Sequence, residues 1–85
     1  MSREDWERVR SLKARELVRA LRRDGFSLIG HRKGNHHRYR HPDGRRVTLP
    51  FSQGGETFAP KTLKNIMVDQ AEWGVDDLKR LGLLK

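Results

Sequence analysis

The chain predicts an α+β fold in which a three-stranded antiparallel sheet is covered on one face by helices. Three observations lead there. An amphipathic stripe runs through residues 13–24, three strand-like runs joined by short turns occupy residues 26–51, and a second apolar stripe begins near Pro60. Two helices over one face of a three-stranded sheet is the simplest arrangement that buries both stripes.

Each element has a local reason. Met1 to Leu12 is highly charged but places Trp6, Val9 and Leu12 at helical spacing, compatible with a leading helix or with an arm that orders on contact. From Lys13 to Asp24, Ala14, Leu17, Val18 and Leu21 fall at i, i+3, i+4 and i+7, one apolar face of a helix. Arg15, Arg19 and Arg22 form a second stripe facing away from it. Gly25 supplies the left-handed residue that commonly ends a helix.

Phe26 to Arg32 starts as a strand, and Lys33-Gly34-Asn35 breaks it as a turn. His36 to His41 is the second strand. Pro42-Asp43-Gly44 turns the chain, proline presetting φ and glycine accepting positive φ. Val47 to Phe51 is the third strand, and the short connections imply a meander. Ser52 to Gly55 is a loop. Pro60 opens a helix whose buried stripe is Leu63, Ile66, Met67 and Ala71 and which Gly74 should end. Asp76 is positioned to cap a short final helix that runs through Leu81 and stops at Gly82.

Composition narrows the function. With 85 residues and no cysteine, the chain is one small domain held by packing, without disulfides or a cysteine zinc site. No apolar run is long enough to span a membrane, and no signal-peptide pattern follows the charged start, so a soluble cytoplasmic protein is expected. The net charge of +8 is concentrated: residues 1–50 carry 14 Lys/Arg against 6 Asp/Glu, residues 51–85 carry 5 against 5. Such a basic half attracts polyanions through phosphate neutralisation and counterion release.

Within it lies Gly34-Asn35-His36-His37-Arg38-Tyr39-Arg40-His41-Pro42-Asp43-Gly44. Histidine takes and gives protons near neutral pH, and arginine suits phosphate oxygens. Strand alternation puts His37, Tyr39 and His41 on one side and His36, Arg38 and Arg40 on the other. With Tyr39 toward the core, His36 and the two arginines lie on an uncovered face suited to binding and cleaving a phosphodiester. Because neighbouring strand residues point apart and no acidic or cysteine ligand sits at suitable spacing, a metal site in this cluster is not expected. No cysteine nucleophile or Gly-x-Ser-x-Gly elbow is present, and Gly54-Gly55 is too short for a phosphate loop.

The chain resembles the HicA toxin family of small bacterial mRNA-cleaving proteins from about Lys13 to Leu83. The resemblance rests on Asp24-Gly25-Phe26, on Lys33 through Arg45, on Val47-Thr48-Leu49-Pro50, and on Pro60-Lys61-Thr62-Leu63-Lys64-Asn65-Ile66. It implies an α-β-β-β-α fold like that of double-stranded-RNA-binding domains, filling residues 1–85 with 1–12 as an N-terminal extension. It also implies ribonuclease activity centred on the histidine of the Gly-x-His step, His36 here, and a HicB-type antitoxin that covers the active face. Operator DNA would be bound only indirectly, through that antitoxin. Three departures stand out: Gly-Asn-His replaces the usual Gly-Ser-His, Phe51 stands where many relatives have histidine, and the N-terminal segment is longer.

These readings combine into an expected mechanism without cofactor or metal. His36 acts as general base toward the RNA 2′-hydroxyl, while Lys33, Arg38 and Arg40 hold the phosphate. The proton for the leaving 5′-oxygen is open among His36 acting twice, His31, His41 and water. The rival expectation is a non-catalytic RNA-binding module of the same fold. Against it, Lys61 and Lys64 give only a sparse version of the lysine cluster that duplex-RNA binders carry at the start of their last helix. A third possibility is a basic face that docks an acidic protein.

Overall fold

The computed structural model describes residues 2–32 and 35–84, with His31 and Arg32 described by backbone alone. The expected strand break at Lys33-Gly34 lies outside the described residues. Residues 3–9 form helix α1 (Arg3–Val9). Ser2 Oγ accepts the Asp5 N–H at 3.1 Å, and the Asp5 carboxylate accepts the Ser2 N–H at 3.4 Å, so two otherwise orphaned donors are satisfied reciprocally. Val9 and Leu12 are buried in the main core and Trp6 packs against it. The N-terminal segment is thus a leading helix joined to the fold.

Helix α2 (Ala14–Asp24) buries Ala14, Leu17, Ala20 and Leu21. Val18, expected in the stripe, is half-buried at its margin. The first turn is tied to a distant loop: the Ala14 N–H reaches the Glu56 carbonyl at 2.8 Å and the Arg15 N–H reaches Gly54 at 3.0 Å. Gly25 ends the helix at φ +109°, and a Cβ there would lie 3.0 Å from His41 Nε2. Glycine is required twice over, for its backbone and for the ring beside it.

The sheet is β1 (Ser27–Arg32), β2 (His36–Arg40) and β3 (Arg46–Pro50), antiparallel throughout in the order β1-β2-β3. Central β2 aligns His36 with Pro50, Arg38 with Thr48 and Arg40 with Arg46 on one side, and with Arg32, Gly30 and Ser27 on the other. A bulge shifts β1 between Leu28 and Gly30. Gly44 turns the β2–β3 hairpin at φ +100°. At the outer edge of β3, the Thr48 N–H donates to Gln70 Oε1 at 2.8 Å.

Helix α3 (Pro60–Lys64) starts on proline at its first turn and widens into a π-helical segment over residues 65–70. The Ala71 N–H bonds the Ile66 carbonyl, five residues back. The expected stripe of Leu63, Ile66, Met67 and Ala71 is buried. Gly74 does not end this helix. The chain leaves it through Ala71 and through Glu72, whose φ is +56°, and Gly74 instead caps α4 (Val75–Arg80). The Gly74 N–H donates to Asp77 Oδ2 at 2.9 Å, so Asp77 rather than Asp76 supplies the cap. Gly82, at φ +77°, follows the helix as expected.

Tyr39, Val47 and Leu49 from the sheet meet Leu17, Leu21, Leu63, Ile66, Met67 and Leu78 in one core. Each fully buried leucine or isoleucine contributes about 1.5–3 kcal/mol. The architecture is the expected α+β order, with a three-stranded antiparallel sheet, helices on one face and a short C-terminal helix. No helix among the described residues is long and apolar enough to cross a membrane.

Candidate functional site

The alternation along β2 separates the histidines by environment. Tyr39 is 3% exposed and anchors the core side. Burial pushes its phenol above the ordinary tyrosine value, opposed by the charge and hydrogen bond of Arg22. His37, on the same side, stacks on Phe51 with ring centroids 4.0 Å apart, and its Nε2 lies 3.0 Å from the Phe51 carbonyl. His41 is engaged at both ring nitrogens. Nδ1 accepts the Asp43 N–H at 3.1 Å, with Asp43 Oδ1 3.0 Å away, and Nε2 reaches the Asp24 carbonyl at 2.8 Å. An imidazole carrying its proton on Nε2 satisfies both backbone contacts. His41 therefore serves the hairpin and the end of α2.

On the other side of β2, His36 and Arg40 are exposed and Arg38 is half-buried. The register extends this row sideways. Thr48 and Gly30 flank Arg38, Arg46 and Ser27 flank Arg40, and Pro50 lies beside His36. A Cβ on Gly30 would meet nothing within 4 Å, so open space borders the Arg38 position. No strand contributes an acidic residue. Exposed His36, Arg40 and Arg46 with half-buried Arg38 make this a cationic surface of fixed geometry, because β2 is paired on both sides. Lys33, the remaining candidate for phosphate contact, lies outside the described residues.

Arg46 was not foreseen. The signal was available: a tight turn at Pro42-Asp43-Gly44 folds the arginine after the turn back opposite Arg40. The departure at position 51 also acquires a physical meaning. Phe51 packs with His37 on the core side, so the residue there does not share a surface with His36.

The start of β2 is held by Asn35. Its carbonyl accepts the Phe51 N–H at 2.9 Å and its Oδ1 accepts the Ser52 hydroxyl at 3.0 Å, continuing the ladder past His36. The far end is held by Asp24. Its carboxylate accepts Trp73 Nε1–H at 2.9 Å and pairs with Arg80 at 2.8 Å and Arg45 at 3.1 Å. Arg45 also bonds Asp43 at 2.7 Å and the Ala71 carbonyl. Burial raises the Asp24 pKa, but the Trp73 and Arg80 bonds and the two guanidinium charges outweigh it and hold the carboxyl below its ordinary value. One side chain thereby fastens α2, the hairpin and the C-terminal segment together. Among the described residues, no three His, Cys, Asp or Glu side chains converge where a metal ion could be held.

The fold and this surface define a small basic α+β domain whose uncovered sheet face carries one histidine within a field of arginines. Comparison with protein families matches residues 14–82 to the model described as "HicA toxin of bacterial toxin-antitoxin". The match covers most of the 85-residue chain, and the chain belongs to the HicA toxin family. As a member it is a toxin of a toxin–antitoxin pair, with an antitoxin as partner. No curated protein matches the chain.

Proposed function

We propose that this toxin is a metal-independent endoribonuclease that cleaves mRNA, with His36 as its general acid and base. The observation that carries the reading is the segregation along β2: His37 and His41 are occupied on the core side, while His36 stands exposed in line with Arg38 and Arg40.

In this reading the RNA phosphate lies on the cationic row, held by Arg38 and Arg40 with Lys33 as a further contact. The His36 imidazole takes the proton of the adjacent 2′-hydroxyl. The 2′-oxygen forms a bond to phosphorus, the bond from phosphorus to the 5′-oxygen breaks, and a 2′,3′-cyclic phosphate results. The departing 5′-oxygen receives its proton from the imidazolium formed in the first step or from water. The guanidinium groups stabilise the charge that develops on the phosphoryl oxygens. A HicB-type antitoxin would neutralise the protein by covering the same face. The setting is cytoplasmic, and operator DNA is reached only through the antitoxin.

The test is incubation of purified toxin with end-labelled single-stranded RNA. Wild type should shorten the RNA with EDTA present, leave cyclic or 3′-phosphate ends, and spare DNA of the same sequence. His36→Ala should bind without cutting. Retardation without shortening by wild type would make the protein an RNA-binding module, and full activity in His36→Ala would remove the proposed mechanism.

A further inference from the structure

A second row of arginines lies away from the sheet. Arg15, Arg19 and Arg23 are spaced four apart along α2, and all three are exposed. They project from the side of the helix opposite the buried Ala14, Leu17 and Leu21. Successive members are about 6 Å apart along the axis at 1.5 Å per residue.

Two features distinguish this row from an ordinary solvated face. First, among the described residues none of its three arginines forms an ion pair. Arg10 pairs with Glu7, Arg45 with Asp24 and Asp43, and Arg80 with Asp24 and Asp77. The two acids of the same helix are bonded to other groups: Glu16 accepts the Lys13 N–H at 2.9 Å, and Asp24 serves the hub. Like charges four apart disfavour a helix, so the row is not there for helix stability. Second, the guanidiniums at both ends lie beside glycines, which carry no side chain to crowd them: a Cβ on Gly55 would stand 3.6 Å from Arg15 Nη1, and one on Gly82 would stand 3.7 Å from Arg23 Nη1.

We propose that Arg15, Arg19 and Arg23 form a second nucleic-acid-backbone site, which holds a flanking stretch of the RNA strand on the face opposite His36. Guanidinium groups in a regular row without ion pairs match successive phosphates and carry no sequence information. The molecule is small, with a shortest principal extent of 18 Å, so the way round it is short for a polynucleotide strand. The inference rests on the reading of RNA as substrate.

The test uses non-cleaving His36→Ala protein as parent and measures poly(U) binding over graded salt. A triple variant, Arg15→Gln, Arg19→Gln and Arg23→Gln, should lower the slope of log K against log salt by about 2, since each single-strand phosphate contact contributes about 0.7. Its affinity should fall about a hundredfold at 0.1 M salt. The corresponding triple lysine variant should keep the parent slope. An unchanged slope in the glutamine variant, with a parent that binds poly(U), overturns the second site and leaves the substrate reading intact. Equal loss in the lysine and glutamine variants also overturns it, as does a loss seen only against polyglutamate, which would assign the row to an acidic protein. A parent that does not bind poly(U) overturns both the substrate reading and this site.

Discussion

The His37 imidazole lies nearly parallel to the Phe51 ring, at 20° and 4.0 Å, and its Nε2 meets the carbonyl of the same residue. Adjacent histidines on one strand therefore have opposite surroundings, and substitution should separate them. His37→Ala should lower stability by about 1–2 kcal/mol, the loss of a stacked, half-buried ring. His36→Ala should leave the unfolding midpoint within about 0.5 kcal/mol of wild type and abolish RNA cleavage. Thermal denaturation and a cleavage assay on both variants check this. Equal stability losses would contradict the division.

Charge on the open face should act on RNA binding and not on folding. Replacing Arg38, Arg40 or Arg46 by Gln in the non-cleaving background should each reduce the salt slope of single-strand binding by about 0.7. Arg46→Gln is the most informative, because its participation follows from its register opposite Arg40. An unchanged slope would remove it from the surface.

Asp24 makes stability depend on acid. Its folded-state pKa lies below the ordinary carboxylate value, so its contribution is fully present above about pH 4, the unfolded value, and is lost as pH falls through the folded value. Asp24→Asn removes the charge that Arg45 and Arg80 pair with and should destabilise the protein at neutral pH by about 2–3 kcal/mol. The variant's melting temperature should also vary less with pH below 4 than that of wild type. Parallel pH profiles for the two proteins would show that the acid response arises elsewhere.

Two glycines provide a controlled comparison. Gly25 and Gly44 have similar positive φ values, +109° and +100°, but a Cβ meets the His41 ring at Gly25 and nothing at Gly44. Gly44→Ala should cost about 1 kcal/mol, the backbone strain alone. Gly25→Ala should cost measurably more in denaturant titrations. His41→Ala combined with Gly25→Ala should recover the excess. Additive losses would show that the ring contact is not the cause.

What the sequence conveyed depended on how local each determinant is. The stripe of Leu17 and Leu21, the stop at Gly25 and the alternation that exposes His36 are settled within a few residues, and all were legible. The π-helical widening after Lys64 was not, because it turns on which carbonyl each N–H finds five residues away. Gly74 was misread because a glycine after a helical stripe looks like a stop. Here the chain had already left the helix, and Asp77 used the same residue as a start. The Asp24 hub was invisible because its partners lie 21, 49 and 56 positions further along, at Arg45, Trp73 and Arg80. On the candidate surface, Arg38 and Arg40 were found through local alternation, whereas Arg46 required the register of the hairpin.

The Gln70 side chain on the Thr48 N–H has a consequence for the crowded interior of a cell. Thr48 points its N–H outward, as Arg46 and Pro50 must, and proline has none to offer. Of these three positions on the outer edge of β3 only Arg46 keeps a donor for a foreign strand, while β1 remains the sheet's other edge. A sheet blunted on one edge favours pairing through β1. Two copies meeting in this way would leave only blunted edges from which a fibril could elongate.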